Sequence, residues 1–513
     1  MVEIEIKSLL ATLASPESLM GVLLLAGALL LFRSTLFGPD LSHIPVVDAE
    51  LTRAQRWENF RKDQKGVYAR GYQQVFIRGS AFLRRSLNKV QFNGVFYVDS
   101  PEGRRVVLPP HLMDEIKNMK EEYLDNIGAL NEQQMPQWTG VQATTPFMNH
   151  LVKSNLTVAL NRINPRLART AAEAVEAEMP SCPDWTQLPF SEKLLRIVAI
   201  VSGDIFLGPE MCRNEDYLGL SINYTENAFK TIYKLRTYWM PLRPIVSRLL
   251  PGVKALERER AKNSKLLRPL IKQRRKLMEQ GGELPDDMLQ WSLEKASKFP
   301  DEIKSDDDIA LLQLRLSMSA IHTTSLTGTV LLADICSIPG LLQELRAEWE
   351  AVLERSGGEF STKALYEMKL LDSVMKESQR MHMLGPAMYH NKTRRGITLS
   401  DGTYIPAGVP LRCATLAGSR DPAHWPNPDK FDPYRFLKLR QASEEEAGKH
   451  QFVTVQKEMM SFGYGKHACS GRFFAANELK IIFINILRKY DVETREGKLN
   501  RRGQPEFFWK NVL

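Results

Sequence analysis

The chain has 513 residues, 43% hydrophobic and 25% charged, with a net charge of +9. That balance predicts a soluble globular body with a large core. No Lys/Arg run is interleaved with aromatics, which excludes a nucleic-acid surface and leaves the basic excess to an acidic protein partner or an anionic membrane.

Length alone would suggest about three domains. Yet the motifs that converge on one site are spread from the middle to the C-terminal end, so one large domain is expected. The five cysteines (Cys182, Cys212, Cys336, Cys413, Cys469) are odd in number and far apart. They form neither a zinc pattern nor a disulfide framework, which suits a reducing compartment.

Leu19 to Phe32 is strongly apolar. Ser15, Pro16 and Glu17 read as a helix start, with Ser as N-cap and Pro at the first position. A helix from Pro16 to Phe37 would be ~33 Å long, enough to span a bilayer, with Arg33 snorkelling. A cleaved signal peptide is the alternative, but no small-residue cleavage site clearly follows the apolar core. Basic residues Arg33, Arg53, Arg56, Arg61, Lys62 and Lys65 follow the span and only Lys7 precedes it, so the body is expected in the cytoplasm. The expected organisation is a membrane anchor over 1–37, a proline-containing hinge over 38–48 and a catalytic domain over 49–513.

Asp48 to Arg70 is helical and charged. Phe92 to Val98 and Arg105 to Leu108 read as two short strands joined by a turn over Ser100 to Gly103. Helical patterns broken near Gly128 and Pro136 follow, and Gly128 to Met148 is mixed and loop-like. Asn149, His150 and Lys153 start the next helix. Leu194 to Leu207 is helical, as is Ile222 to Gln280 with interruptions at Pro241, Pro244 and Pro251.

A long helix is expected from Asp306 to about Ser337, centred on Ser319-Ala320-Ile321-His322-Thr323-Thr324. Ser and Thr there can bond back to the carbonyl one turn earlier and open the helix. Glu377 and Arg380, three apart, share a helix face and can pair bidentately. Gly402 to Leu411 reads as a hairpin. A Pro-rich segment from Trp425 ends on Arg435-Phe436, and Gln441 to His450 is a polar surface loop.

The organising stretch is Phe462-Gly463-Tyr464-Gly465-Lys466-His467-Ala468-Cys469-Ser470-Gly471. Its glycines let the backbone turn and approach a flat ligand. The loop delivers Cys469 to the N-terminus of a helix running from about Arg472 to Tyr490, where a thiolate is favoured. Phe462, Gly465, His467, Cys469 and Gly471 stand at the spacing of the cysteine loop of the cytochrome P450 family, which this chain resembles over nearly everything after the hinge. Among its members it looks most like microsomal, fungal enzymes of secondary metabolism, including those similar to ent-kaurene oxidase.

The resemblance implies a mainly α fold with small β-sheets and a haem b ligated by Cys469, with His467 aimed at a propionate. In the family, Trp and Arg one turn apart often meet a propionate where His150 and Lys153 stand, and Arg often stands where His390 is. Thr323 matches the Thr of the oxygen-binding helix, Ala320 the Gly position and His322 the acid. His322 either relays protons beside Thr323 or hydrogen-bonds elsewhere in the fold. Glu377, Arg380 and Arg435 match a buried Glu–Arg–Arg cluster. Leu316, Ala320, Thr324, Ala387, Met388 and Phe508 are candidates for the apolar pocket.

The activity implied is monooxygenation of an apolar small molecule, a terpenoid or related polycyclic. The chain has no nucleotide or flavin motif, so electrons must come from NADPH through a cytochrome P450 reductase at the endoplasmic reticulum membrane. Two other readings stand beside it: a haem-thiolate isomerase or dehydratase needing no external electrons, and a haem sensor or carrier.

Overall fold

The computed structural model describes residues 38–76, 94–499 and 505–512. The anchor helix expected over 16–37 lies outside the described residues. Among the described residues, no single helix is long and apolar enough to cross a membrane. The chain divides into two compact units, one holding the described residues to 115 together with 119–125 and 391–412, the other holding 116–118, 126–390 and 413–512.

In the first unit, α1 (Arg53–Lys62) opens on a capping box: Thr52 accepts the Gln55 N–H, and the Gln55 side chain accepts the Thr52 N–H. α2 (Gln64–Phe76) follows. The expected strand pair forms as Phe96–Ser100 against Gly103–Leu108, turned at Gly103 with φ +121°. These strands open a five-stranded sheet that continues through Pro410–Cys413, Met388–Thr393 and Leu124–Asp125. Residues 45–47 zip onto its edge, with the Val47 N–H 3.1 Å from the Tyr97 carbonyl and the Tyr97 N–H 2.9 Å from the Pro45 carbonyl.

The hairpin expected over Gly402 to Leu411 does not form. Tyr404–Ile405 pairs back onto Ile397–Thr398, and Pro410–Cys413 enters the larger sheet. Pro406 has no N–H to continue the first ladder, and Gly408, at φ +82°, turns the chain away.

The second unit is built on helices: α3 (Pro146–Leu151), α4 (Thr157–Glu178), α5 (Phe190–Leu207), α6 (Glu215–Arg236), α7 (Pro251–Gln280), α8 (Asp306–Cys336), α9 (Lys369–Met381) and α10 (Arg472–Lys489). His150 and Lys153 do not begin a helix. α3 starts earlier, capped by Thr145, and Lys153 sits in a π-helical turn, Val152–Leu156, between α3 and α4. The long interrupted helix ends at Arg236 and resumes through Arg243–Leu249 to α7. Pro251 opens α7 at its first position, where a missing N–H is harmless, and the proline inside the helix is Pro269.

α8 runs through the core. It begins on a second capping box, Ser305 with Asp308, and matches its expected span within one residue. α5 and α10 pack with it, and α4 packs on those two, through buried Leu, Ile, Val and Phe. The tail strand Pro505–Asn511 pairs with Thr186–Leu188 on one side and Tyr490–Leu499 on the other.

Candidate active site

The cysteine loop is held by its own backbone. The Cys469 N–H donates to the Phe462 carbonyl at 2.7 Å, and the Ala468 N–H to the Gly465 carbonyl at 3.1 Å. Gly465 has φ +68°, and a Cβ there would stand 2.6 Å from Lys117 atoms, so both conformation and space demand glycine. Gly471 differs: its φ is −84°, and a Cβ would meet no protein atom within 4 Å. Nothing in the protein itself requires glycine at Gly471, beside Cys469 and facing open space. The Phe462 ring packs edge-on to Phe452 at 5.3 Å. His467 closes the short 3-10 turn Gly465–His467.

Cys469 is exposed on the loop. Burial in protein raises its thiol pKa, against the pull of the Gly471 and Arg472 N–H groups and the Arg472 charge. Arg472 also ties the loop down, donating to the Cys469 carbonyl at 2.7 Å and to the Val453 carbonyl at 3.1 Å.

On α8, the Thr323 hydroxyl bonds back to the Ser319 carbonyl at 2.9 Å and the Ala320 carbonyl at 3.2 Å. Thr323 is exposed while its neighbour Thr324 is buried. Thr324 turns to Glu478 on α10. Adjacent residues point about 100° apart on a helix, so the two threonines serve different flanks. His322 Nε2 lies 2.9 Å from the Ile222 carbonyl on α6. A carbonyl only accepts, so Nε2 carries the proton. The ring thus makes a hydrogen bond across helices, as in the second of the two alternatives for this residue. Leu316 is buried in the core, and Ala320 packs against it half-buried.

Glu377, Arg380 and Arg435 meet. Arg380 reaches both Glu377 oxygens at 2.8 Å and Arg435 Nε reaches both at 3.1 Å. The remaining guanidinium donors hold backbone carbonyls, Arg380 those of Ser419 and Pro428 and Arg435 that of Pro426. The cluster therefore stitches α9 to the Pro-rich segment ahead of the cysteine loop.

A profile of the family described as Cytochrome P450 matches residues 118–511. The chain belongs to the cytochrome P450 family. Cytochrome P450 monooxygenase braC of Annulohypoxylon truncatum is 33% identical over 422 residues, 82% of this chain and 84% of that protein. Monooxygenase adrA of Penicillium rubens is 32% identical over 497 residues, 94% and 91% of the two chains. Ent-kaurene oxidase P450-4 of Gibberella fujikuroi is 30% identical over 427 residues, 82% and 83% of the two chains.

A P450 carries haem with a thiolate on iron, and this loop fits one. Cys469 is the loop's only sulfur, two N–H groups point at it, and a Cβ at Gly471, two residues on, would meet no protein atom within 4 Å. Iron ligation would remove the thiol proton that burial retains. Lys153 reaches this loop, its Nζ 3.4 Å from the Lys466 carbonyl. His150 instead packs its ring on Phe299 at 5.2 Å. His390 is held on both sides: Gln133 Nε2 is 2.8 Å from its Nδ1, and Asn126 donates to its carbonyl at 2.6 Å. Ala387 is buried and Met388, half-buried, begins a sheet strand. Phe508 lies in the tail sheet with Arg495 over its ring at 3.9 Å.

Lys376, Arg472 and Glu478 were not singled out from the sequence. Lys376, beside Glu377, is fully buried and donates to the Gln451 and Thr454 carbonyls at 2.7 and 2.9 Å. Burial pushes its pKa down to about 7. Arg472 anchors Cys469. Glu478, one residue in a helix full of apolar side chains, is fully buried with its pKa pushed up to about 8. The only sequence signal for Lys376 and Glu478 was a charge on an otherwise apolar face.

Proposed function

We propose that this monooxygenase oxidises a terpenoid or related polycyclic metabolite with electrons from NADPH delivered by a cytochrome P450 reductase. The likeness to a relative named as an ent-kaurene oxidase carries the substrate reading. When bound, the thiolate-ligated haem supplies the iron at which oxygen is activated. The chain's own contributions are Cys469 as ligand, Gly471 as the close approach, Lys153 and His467 as cations at the loop's rim, and Thr323 as the hydroxyl that holds water on the open flank of α8. Proton delivery through Thr323 is part of this proposal.

The reductase reading is supported by a concavity on the cysteine loop, lined by Lys153, Lys466, Ser470, Arg472 and Phe473. Three cations beside Cys469 suit an acidic electron donor. Membrane attachment is supported by Phe229, Tyr233, Trp239, Ile245 and Leu249, all more than half exposed, interleaved with Lys230, Lys234 and Arg248. Aromatics and aliphatics beside basic residues suit a bilayer interface. We place the protein at the endoplasmic reticulum with residues 1–37 as anchor and the body cytoplasmic. Asn155-Leu156-Thr157, Asn223-Tyr224-Thr225 and Asn391-Lys392-Thr393 match the glycosylation acceptor pattern; Asn223 is exposed and would report a lumenal body by gaining glycan, whereas Asn155 is half-buried and Asn391 buried.

The test is turnover in microsomes containing the full chain and a P450 reductase, supplied with ent-kaurene and other polycyclic terpenoids. A product heavier by one oxygen, dependent on both NADPH and reductase, is expected. Conversion that needs neither would overturn the proposal in favour of an isomerase or dehydratase.

A further inference from the structure

Arg315 stands on α8 eight residues before Thr323. Arg315, Ser319 and Thr323 recur at i, i+4 and i+8, on one stripe of the helix. That stripe is the helix's open one, since Ser319 and Thr323 are exposed while Leu316, Ser317, Met318, Ile321 and Thr324 are buried. The hydroxyls along it give their protons to carbonyls one turn back: Ser319 to Arg315 at 3.0 Å, Thr323 to Ser319 at 2.9 Å, Thr327 to Thr323 at 2.8 Å. The donors left on this stripe for a ligand belong to Arg315.

Among the described residues the Arg315 guanidinium makes no hydrogen bond and no ion pair, and its Nε is buried without a partner. Burial holds its pKa below the usual arginine value, against the fields of Tyr224, Glu302 and Asp308. Neither acid is free to approach. Glu302 accepts the Phe147 N–H with both oxygens, at 3.1 and 3.3 Å. Asp308 Oδ2 accepts the N–H groups of Lys304 and Ser305 at 3.0 and 2.9 Å. The neighbouring cation Arg260 is already spent on the Thr139 carbonyl at 2.8 Å. A guanidinium stays protonated in proteins, and leaving it largely desolvated without a counter-charge is costly. Its planar fork matches a carboxylate.

We propose that Arg315 anchors the substrate, and that the substrate is an amphipathic carboxylic acid. This rests on the monooxygenase pocket argued above and names its second pole. Eight residues of helix rise about 12 Å. The carboxylate is therefore held roughly two turns of α8 from Thr323, and the carbon presented for oxidation lies at the opposite, apolar end of the molecule. Arg315 is a binding residue that selects and orients.

The experiment uses the haem-loaded full chain and reads the Soret shift on ligand binding. Two matched probe pairs are titrated: ent-kaurenoic acid with its methyl ester, and dodecanoic acid with methyl dodecanoate. In the wild type, at least one acid should bind tenfold or more tightly than its ester. Arg315→Leu should abolish that preference and leave the ester unchanged, and Arg315→Lys should keep part of it, both with wild-type ferrous–CO absorbance. Absence of acid preference in both wild-type pairs overturns the proposal without any variant. So does an Arg315→Leu protein that binds the acid as tightly as wild type. An acid preference confined to the dodecanoate pair, with no kaurenoid binding, would keep Arg315 as carboxylate anchor and sink the terpenoid reading instead.

Discussion

Arg380 and Glu377 meet fork to fork, Nε to Oε2 and Nη2 to Oε1, each at 2.8 Å, with neither side chain accessible to solvent. Arg435 adds a second guanidinium to the same carboxylate. One acid thus balances two buried cations, and the arginines in turn hold the backbone that leads to the cysteine loop. Removing the acid leaves both charges unpaired, at a cost on the order of 3–5 kcal/mol. Glu377→Ala is expected to yield little haem-loaded protein and a much lowered Tm. Wild-type haem content in that variant would mean the cluster does not hold the loop.

Cys469 offers the loop's only thiol. Cys469→Ser and Cys469→His should lose the red-shifted ferrous–CO band of a thiolate-ligated haem and all turnover, while secondary structure by circular dichroism stays. A Cys469→Ala protein that kept the band would assign the ligand elsewhere.

What was legible in the sequence follows from what is local. The cysteine loop declares itself through glycine spacing, and α8 through its capping box and its length. The Glu377–Arg380 pair is fixed by one helix turn. Arg435 lies far along the chain, and only the family pattern joins it to that pair. Lys376, Glu478 and Arg315 were passed over because periodicity reads a charge on a helix as a solvated face. Their burial is decided by which helices pack on them, which no local window contains. The misread hairpin at Gly402 to Leu411 has the same origin, since Pro406 and Gly408 signal a turn but not which sheet the next strand will join.

Thr323 and His322 should separate cleanly. Thr323 bonds back along α8 on the open stripe, so Thr323→Ala should keep haem and substrate binding and lower product formed per NADPH severalfold, with peroxide rising. His322 holds the Ile222 carbonyl across to α6, which makes it a packing contact worth about 0.5–1.5 kcal/mol. His322→Ala should lower Tm modestly and leave coupling unchanged. His322→Asp should be worse than Ala, because a carboxylate facing a carbonyl has no proton to give. Unchanged coupling in Thr323→Ala, or impaired coupling in His322→Ala, would reverse these roles.

Glu478 gives a pH signature. Its Oε1 is 2.5 Å from the Ser202 hydroxyl on α5, Thr324 faces it from α8, and no charged side chain contributes to its environment. Burial therefore dominates and raises its pKa from an ordinary 4.5 to about 8. The folded protein keeps the proton that the unfolded chain loses near pH 4.5, so between pH 4.5 and 8 folding takes up a proton. Stability contributed at this site is complete below that window, falls as pH rises through it and stays low above. Lys376 works in the opposite sense: its lowered pKa of about 7 makes stability rise with pH above 7, so the wild-type curve alone is ambiguous. The difference between wild type and Glu478→Gln isolates the acid, because Gln keeps an acceptor for Ser202 and never titrates. A tenfold difference in proton affinity between the folded and unfolded chain is worth about 1.4 kcal/mol. Thermal denaturation of the haem-loaded protein should therefore find the variant gaining on wild type by about 3 °C as pH is raised from 5 to 8. Parallel Tm curves across that range would mean that Glu478 is already ionised in the folded protein and that its helix tolerates a buried charge.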